Sequence, residues 1–154
     1  MQDHLNEFLG TPYGIAIIFV ILWCAICYSL SFLSGWHSLT RRFKKQSEPY
    51  GETKSLRFTL LGVRMRFGVK YDNFIRITAA EDALYLFMLF FFRLGHPPLR
   101  IPWNEIQFGR TKYFWMSFVV LTLGNEEFIP MRISEGMARK LGILERLPND
   151  ARAR

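Results

Sequence analysis

From Tyr13 to Leu33 the chain reads YGIAIIFVILWCAICYSLSFL, a run with no Asp, Glu, Lys or Arg. At 1.5 Å rise per residue a helix of that length extends about 31 Å, the thickness of a bilayer's hydrocarbon core. A chain of 154 residues has too little other apolar surface to bury a helix that is apolar on every side. The run therefore predicts a transmembrane helix over 13–34. Thr11 is placed as its N-cap, and Pro12 falls at the first helical position, where a missing N–H costs nothing. Gly35 is placed to end it. Tyr13 and Trp36 bracket the run where amphipathic rings meet headgroups.

The flanks give an orientation. Residues 1–12 form a short extracytoplasmic N-terminus with Asp3 and Glu7 and no cation, whereas a signal peptide opens with positive charge. Arg41, Arg42, Lys44 and Lys45 follow the span, so the positive-inside rule puts the C-terminal part in the cytoplasm. Cys24 and Cys27 make a C-x-x-C spacing, but mid-span a thiolate is costly, and packing is their expected role. No disulfide framework is open to the rest of the chain, which suits a reducing compartment. Ala25-x-x-x-Ser29 and Ser31-x-x-x-Gly35 offer small-residue ridges on which two spans could pack as a homodimer.

Residues 35–54 read as a basic juxtamembrane linker, polar near Pro49 and Gly51. Residues 55–154 suffice for one small domain. Leu56, Phe58 and Leu60 alternate; after Gly62 the apolar set shifts phase to Val63, Met65 and Phe67, as a bulge or tight turn produces. Ile75 and Ile77 share one strand face, and Leu84, Leu86, Met88 and Phe90 open the next strand. Further strands are expected over 99–102, 115–123 and 128–133. Ser134 caps an amphipathic helix over 134–147 on which Met137, Leu141 and Leu144 form a stripe, with Pro148 beyond. The expected fold is mainly β: about seven antiparallel strands and a C-terminal helix, as an orthogonal sheet pair or a barrel plugged by that helix.

Within this pattern, Ala83-Leu-Tyr-Leu86 and Ile101-Pro-Trp-Asn-Glu-Ile106 resemble bacterial pleckstrin-homology-like domains of the GRAM type. In those domains a "gLyL" strand leads through a loop to an "IPWxEI" strand and corner. The resemblance implies a structural corner in which Pro102 limits the strand, Trp103 packs at the bend and Ile106 points inward. It also implies a single-pass protein of a bacterial inner (cytoplasmic) membrane, from a group of membrane-anchored proteins with no agreed activity. Gly136 and Gly142 interrupt the terminal helix, a departure from the family pattern.

Charge is concentrated. Ten Lys or Arg and three acids lie between Arg41 and Arg76, which accounts for the chain's net charge of +7. Arg41, Arg42, Lys44 and Lys45, next to the span, suit an anionic lipid surface as well as a topology signal. Arg64 and Arg66 are expected to project together from one strand face. With Lys54 they form a loose Lys…Arg-x-Arg pattern, similar to the one by which some pleckstrin-homology domains hold headgroups, and equally a solvated face. Phe87, Phe91 and Phe92 are either a strand covered on both sides or an exposed hydrophobic patch.

Catalytic signatures are lacking. His4, His37 and His96 are far apart in sequence, and no His or carboxylate pair has metal-ligand spacing. No nucleophile elbow or P-loop is present, no cofactor is implied, and no nucleic-acid-binding pattern accompanies the basic residues. The expectation is a non-catalytic membrane-anchored binding or adaptor module for a protein partner or a lipid-headgroup surface. The alternative is an accessory subunit of a larger membrane complex, associating through the span.

Overall fold

Helix α1 (Pro12–Ser34) begins and ends as its flanking residues dictate. Thr11 Oγ1 accepts from the Gly14 N–H at 3.1 Å, and Gly35 closes the helix at φ +82°, a conformation open to glycine at little cost. The computed structural model describes residues 11–45, 47–56, 63–71 and 73–147. Among these, α1 is the one helix long and apolar enough to cross a membrane. Asp3, Glu7, Phe58, Leu60, Gly62 and Pro148 lie outside the described residues.

The stretch expected to be a linker is partly helix. Gly35 turns the chain into α2 (Trp36–Phe43), whose Trp36, Leu39 and Phe43 are buried. Their spacing of three and four puts them on one helical face, with Arg41 and Arg42 outside it. The end of α2 is held to the domain, where Lys44 bridges Leu99 and the Lys45 N–H donates to the Pro98 carbonyl at 2.8 Å. Only the polar residues beyond Lys45 remain to act as a link.

Two antiparallel sheets follow. The first runs in the order β1 (Lys54–Leu56), β2 (Ile75–Ala79), β3 (Ala83–Met88), β4 (Leu99–Pro102). The second runs β5 (Ile106–Tyr113), β6 (Met116–Leu123), β7 (Ile129–Ser134). Ile77, Leu84, Leu86 and Ile101 of the first sheet share one core with Val119, Leu121, Met131 and Ile133 of the second. Each such side chain taken out of water contributes about 1.5–3 kcal/mol before chain entropy is counted. β3 is apolar on both faces because both are covered: Tyr85 and Ala83 pack with Ala80 in a separate cluster behind the sheet.

The phase shift after Gly62 leads to a turn rather than a long strand. Val63 and Met65 are buried as alternation predicts, but Phe67 is exposed. Arg64 bridges both Arg132 of β7 and Lys70, so the chain reverses between them, and Phe67 sits at the tip with φ +56°. Trp103–Glu105 form the corner between the sheets. The terminal helix α3 (Glu135–Lys140) is shorter than the expected 134–147. It is capped by Ser134 as the sequence indicates, but Gly142 at φ +70° breaks it, and Ile143–Arg146 continue as a 3-10 turn. No ladder joins the two sheets among the described residues. The domain is thus a sheet pair with a C-terminal helix, not a closed barrel.

Candidate functional site

The half of α1 nearest Gly35 is docked on the domain. Cys27, Ser31 and Ser34 are buried; their spacing places them on one stripe, and small side chains let the domain backbone approach. Ser31 Oγ donates to the Gly95 carbonyl. The ridge Ser31-x-x-x-Gly35 is therefore consumed within the chain: Ser31 meets Gly95, and a side chain at Gly35 would collide with Ile129. Ala25 and Ser29 remain exposed.

At the joint, three rings meet. Trp36, Tyr71 and His96 have centroids 5.3–5.9 Å apart, and all three are buried. Tyr71 Oη and His96 Nε2 are 2.9 Å apart, and His96 Nδ1 is 3.3 Å from the Leu94 carbonyl. A neutral ring satisfies both contacts, with Nδ1–H donating to Leu94 and Nε2 accepting from Tyr71. Burial holds the His96 pKa below 6.5 and pushes Tyr71 up to about 12. His96 is thus a packing and hydrogen-bonding residue of the joint.

The loop after β3 follows α1 away from the joint. Leu89–Phe92 close a 3-10 turn in which the Phe92 N–H donates to Leu89 at 2.9 Å. The Phe91 carbonyl accepts from Trp23 Nε1 at 3.1 Å, and the Pro97 carbonyl accepts from Trp36 Nε1 at 3.0 Å. The Phe92 ring packs on both Trp23 and Phe74, at 5.1 and 4.5 Å. Phe90 and Phe91 are exposed, 75% and 67%. Phe87 is set apart on β3, half-buried, stacked on Tyr85 and overlain by Lys45 and Arg76 at 5.0 and 5.5 Å. The three candidate phenylalanines therefore do not form one patch: Phe91 is open, Phe92 is seated on the helix, and Phe87 lies under cations.

The seven candidate cations also separate. Arg42 is bound by carboxylates, 2.8 Å from Glu105 and 3.2 Å from Glu126, and Lys45 meets Glu48 at 2.6 Å. Arg41 and Lys44 are exposed at the end of α2. Lys54 lies opposite Ala79 on the first sheet, whereas Arg64 pairs with β7 of the second, so the Lys…Arg-x-Arg pattern is not assembled on one strand pair. Arg64 and Arg66 do not share a regular strand either, because Arg66 already belongs to the Phe67 turn. Sequence reading missed the neighbours that the fold supplies: Lys70, Arg64 and Arg132 lie side by side across adjoining backbones, all exposed. Like charges facing each other across strands are unfavourable unless an anion comes between them. The Phe67 turn next to this row packs beside α1.

Pro102, Trp103 and Ile106 stand at the corner. Trp103 Nε1 donates to the Ala80 carbonyl at 2.9 Å, Arg146 covers its ring at 4.3 Å, and Ile106 is buried. The β5–β6 hairpin exposes Tyr113, Phe114 and Trp115, the last at 88%, with Phe114 at φ +55°. This tip was also missed, because an aromatic run reads as strand.

Among the described residues no three His, Cys, Asp or Glu side chains gather as a metal site. Asp82 accepts from Tyr85 and Arg100 at 2.9–3.1 Å. Burial raises its pKa, but these bonds outweigh it and hold the carboxyl below its ordinary value. The group ties the Glu48 backbone to β3 through the Tyr85 hydroxyl. No family model matches the chain, and neither a curated protein nor a solved structure matches it.

Proposed function

We propose that the chain is a single-pass protein of a bacterial inner membrane, with its N-terminus outside and a pleckstrin-homology-like domain held at the cytoplasmic face as a non-catalytic binding module. Its ligand is the anionic headgroup surface, and the hairpin tip at Tyr113–Trp115 is the side free for a protein partner. One observation carries this reading: the domain is bonded to its own apolar helix, so that exposed aromatic tips and a basic row with no ion pair among the described residues come with it. Phe67 and Phe90–Phe91 flank α1; Arg64 and Lys70 stand on either side of the Phe67 turn, and Arg132 faces Arg64 from β7. An apolar tip with adjoining cations suits the boundary between acyl chains and headgroups. The seven strands, the Trp103 corner and the C-terminal helix support the pleckstrin-homology-like assignment by pattern.

The test uses the full chain in nanodiscs. Backbone hydrogen exchange over 63–71 and 129–134 should be slower in anionic discs than in zwitterionic ones, and the difference should shrink as salt screens the charges. Arg64→Gln with Arg132→Gln should abolish the difference. Equal exchange in both lipids would reject the headgroup reading.

The accessory-subunit alternative rests on the exposed Ala25 and Ser29. Replacing only residues of α1 that do not touch the domain, such as Ala25→Leu and Ser29→Leu, tests it. Loss of a co-purifying subunit from that variant, with headgroup protection intact, would favour that reading.

A further inference from the structure

A groove of about 390 Å³ opens where the β2–β3 hairpin meets the Phe90–Phe92 turn. One wall is apolar, formed by Phe74, Leu89 and Phe90; Arg76, Arg93 and Phe87 of β3 stand among the other lining residues, with no carboxylate among the described ones. Arg76 donates through Nε to Ser55 at 3.1 Å and lies over the Phe87 ring. Among the described residues neither guanidinium forms an ion pair. Two arginines facing an apolar wall suit an anion that carries a hydrocarbon tail.

The groove's position says where that ligand comes from. Phe74, on its wall, is one ring removed from the apolar helix: Phe74 packs on Phe92, and Phe92 on Trp23. Trp23 lies near the middle of Pro12–Ser34. Carbonyls of the turn beside it are taken by protein donors, as an apolar setting requires. Leu89 and Phe90 accept from Phe92 and Arg93 within the turn, and Phe91 and Gly95 accept from the Trp23 and Ser31 side chains. At the other end Lys45 and Arg76 overlie Phe87, level with the strand pair that meets the end of α2. Arg76 thus stands at the end of the groove nearest α2, the Phe74–Leu89–Phe90 wall lies toward α1, and Arg93 follows the turn at that wall.

We infer that this groove holds one anionic phospholipid, its phosphate between Arg76 and Arg93 and its acyl chain along Phe74, Leu89 and Phe90. The inference rests on the membrane-spanning reading of α1 but uses cations separate from the Lys70–Arg64–Arg132 row. The bound lipid would fasten the domain to the bilayer at a second point, beside the span.

The experiment measures binding of fluorescent short-chain phosphatidylglycerol to the full chain in non-ionic detergent. Arg76→Gln with Arg93→Gln should weaken binding about tenfold or more, the loss expected for two charge-assisted contacts. Phe90→Ala should also weaken it, and Lys112→Gln, at an exposed cation of β5, should leave it unchanged. Phosphatidylcholine and glycerol phosphate should compete poorly, the first lacking net charge and the second lacking the chain. Unchanged melting temperatures of the arginine variant would show that the loss is one of contact. Wild-type affinity in that variant would overturn the inference. So would an equal loss in the Lys112 variant, or competition by glycerol phosphate equal to that of the lipid, which would make the ligand a soluble phosphate compound. Because hydrogen exchange in nanodiscs reads the other basic row, failure of the groove and failure of the headgroup reading are separable.

Discussion

The Trp23 indole N–H donates to the Phe91 carbonyl, 68 residues away in sequence, at 3.1 Å. A tryptophan at the centre of an apolar helix is out of place by the usual rule, which puts its ring at the headgroup level. Here its donor meets a carbonyl that a turn packed on the same helix would otherwise leave unpaired. Each group explains the other.

Removing that donor while keeping a ring makes the first prediction. Trp23→Phe preserves an aromatic surface for Phe92 but strips the Phe91 carbonyl of its partner. The full chain in detergent should lose about 1–3 kcal/mol of stability, the cost of an orphaned acceptor in an apolar setting. Ile21→Leu, on an exposed part of the same helix, should change it by less than about 0.5 kcal/mol. Thermal melts of the two variants compare them directly.

His96 supplies a pH dependence. The folded joint disfavours the imidazolium, so the His96 pKa lies below its ordinary 6.5. Above that value neither the folded nor the unfolded chain carries the proton, and the joint's stability is complete. As pH falls through 6.5 the unfolded chain takes up a proton that the folded chain refuses, so stability declines until the folded pKa is reached. The melting temperature should therefore drop between about pH 7 and pH 5.5. His96→Gln should flatten that part of the profile. An identical slope in the variant would assign the proton to another group.

The β5–β6 tip should behave as a binding surface and not as a support. Phe114 holds φ +55° while exposed, a strained choice for a bulky side chain. Phe114→Asn should raise stability by about 0.5–1 kcal/mol, since Asn tolerates that conformation. Trp115→Ser should leave it within about 0.5 kcal/mol. A photoreactive side chain at position 115 should give a discrete protein adduct in native membranes that Phe114→Asn removes; no adduct, or adducts to lipid alone, would reject this tip as the partner-facing side.

Much of the helix was legible in the sequence, because capping and length are local properties: Thr11, Pro12 and Gly35 act as their chemistry requires. The alternation of Ile75 and Ile77 and the Ser134 cap were legible for the same reason, whereas the apolar run through β3 left burial on both faces and an exposed patch equally open, because what covers a strand is not written in it. What could not be read locally is how cations pair. Arg42 and Arg64 look alike in the basic stretch, but Arg42 meets Glu105 and Glu126 across the corner, whereas Arg64 lies between Lys70 and Arg132. Those neighbours come from elements remote in sequence. The joint was hidden likewise, since Trp36, Tyr71 and His96 are joined only by the fold. Residues 36–43 read as polar because five of them are basic or hydroxylic, and the Trp36–Leu39–Phe43 stripe is too short to stand out beside the long apolar run of α1.

The depth at which Phe91 sits is decisive. Its carbonyl is bound to the middle of an apolar helix, so if that helix spans the bilayer the turn must lie among acyl chains. A nitroxide attached at Phe91→Cys, with Cys24 and Cys27 replaced by Ala in the full chain reconstituted in liposomes, reports its depth through collisions with oxygen and with a water-soluble nickel chelate. A label at Trp115→Cys serves as the aqueous reference. The Phe91 label should be highly accessible to oxygen and shielded from nickel, at a depth close to that of a label on the lipid-facing side of α1 near Ile26. Nickel accessibility equal to that at position 115 would put the turn in water and contradict the account.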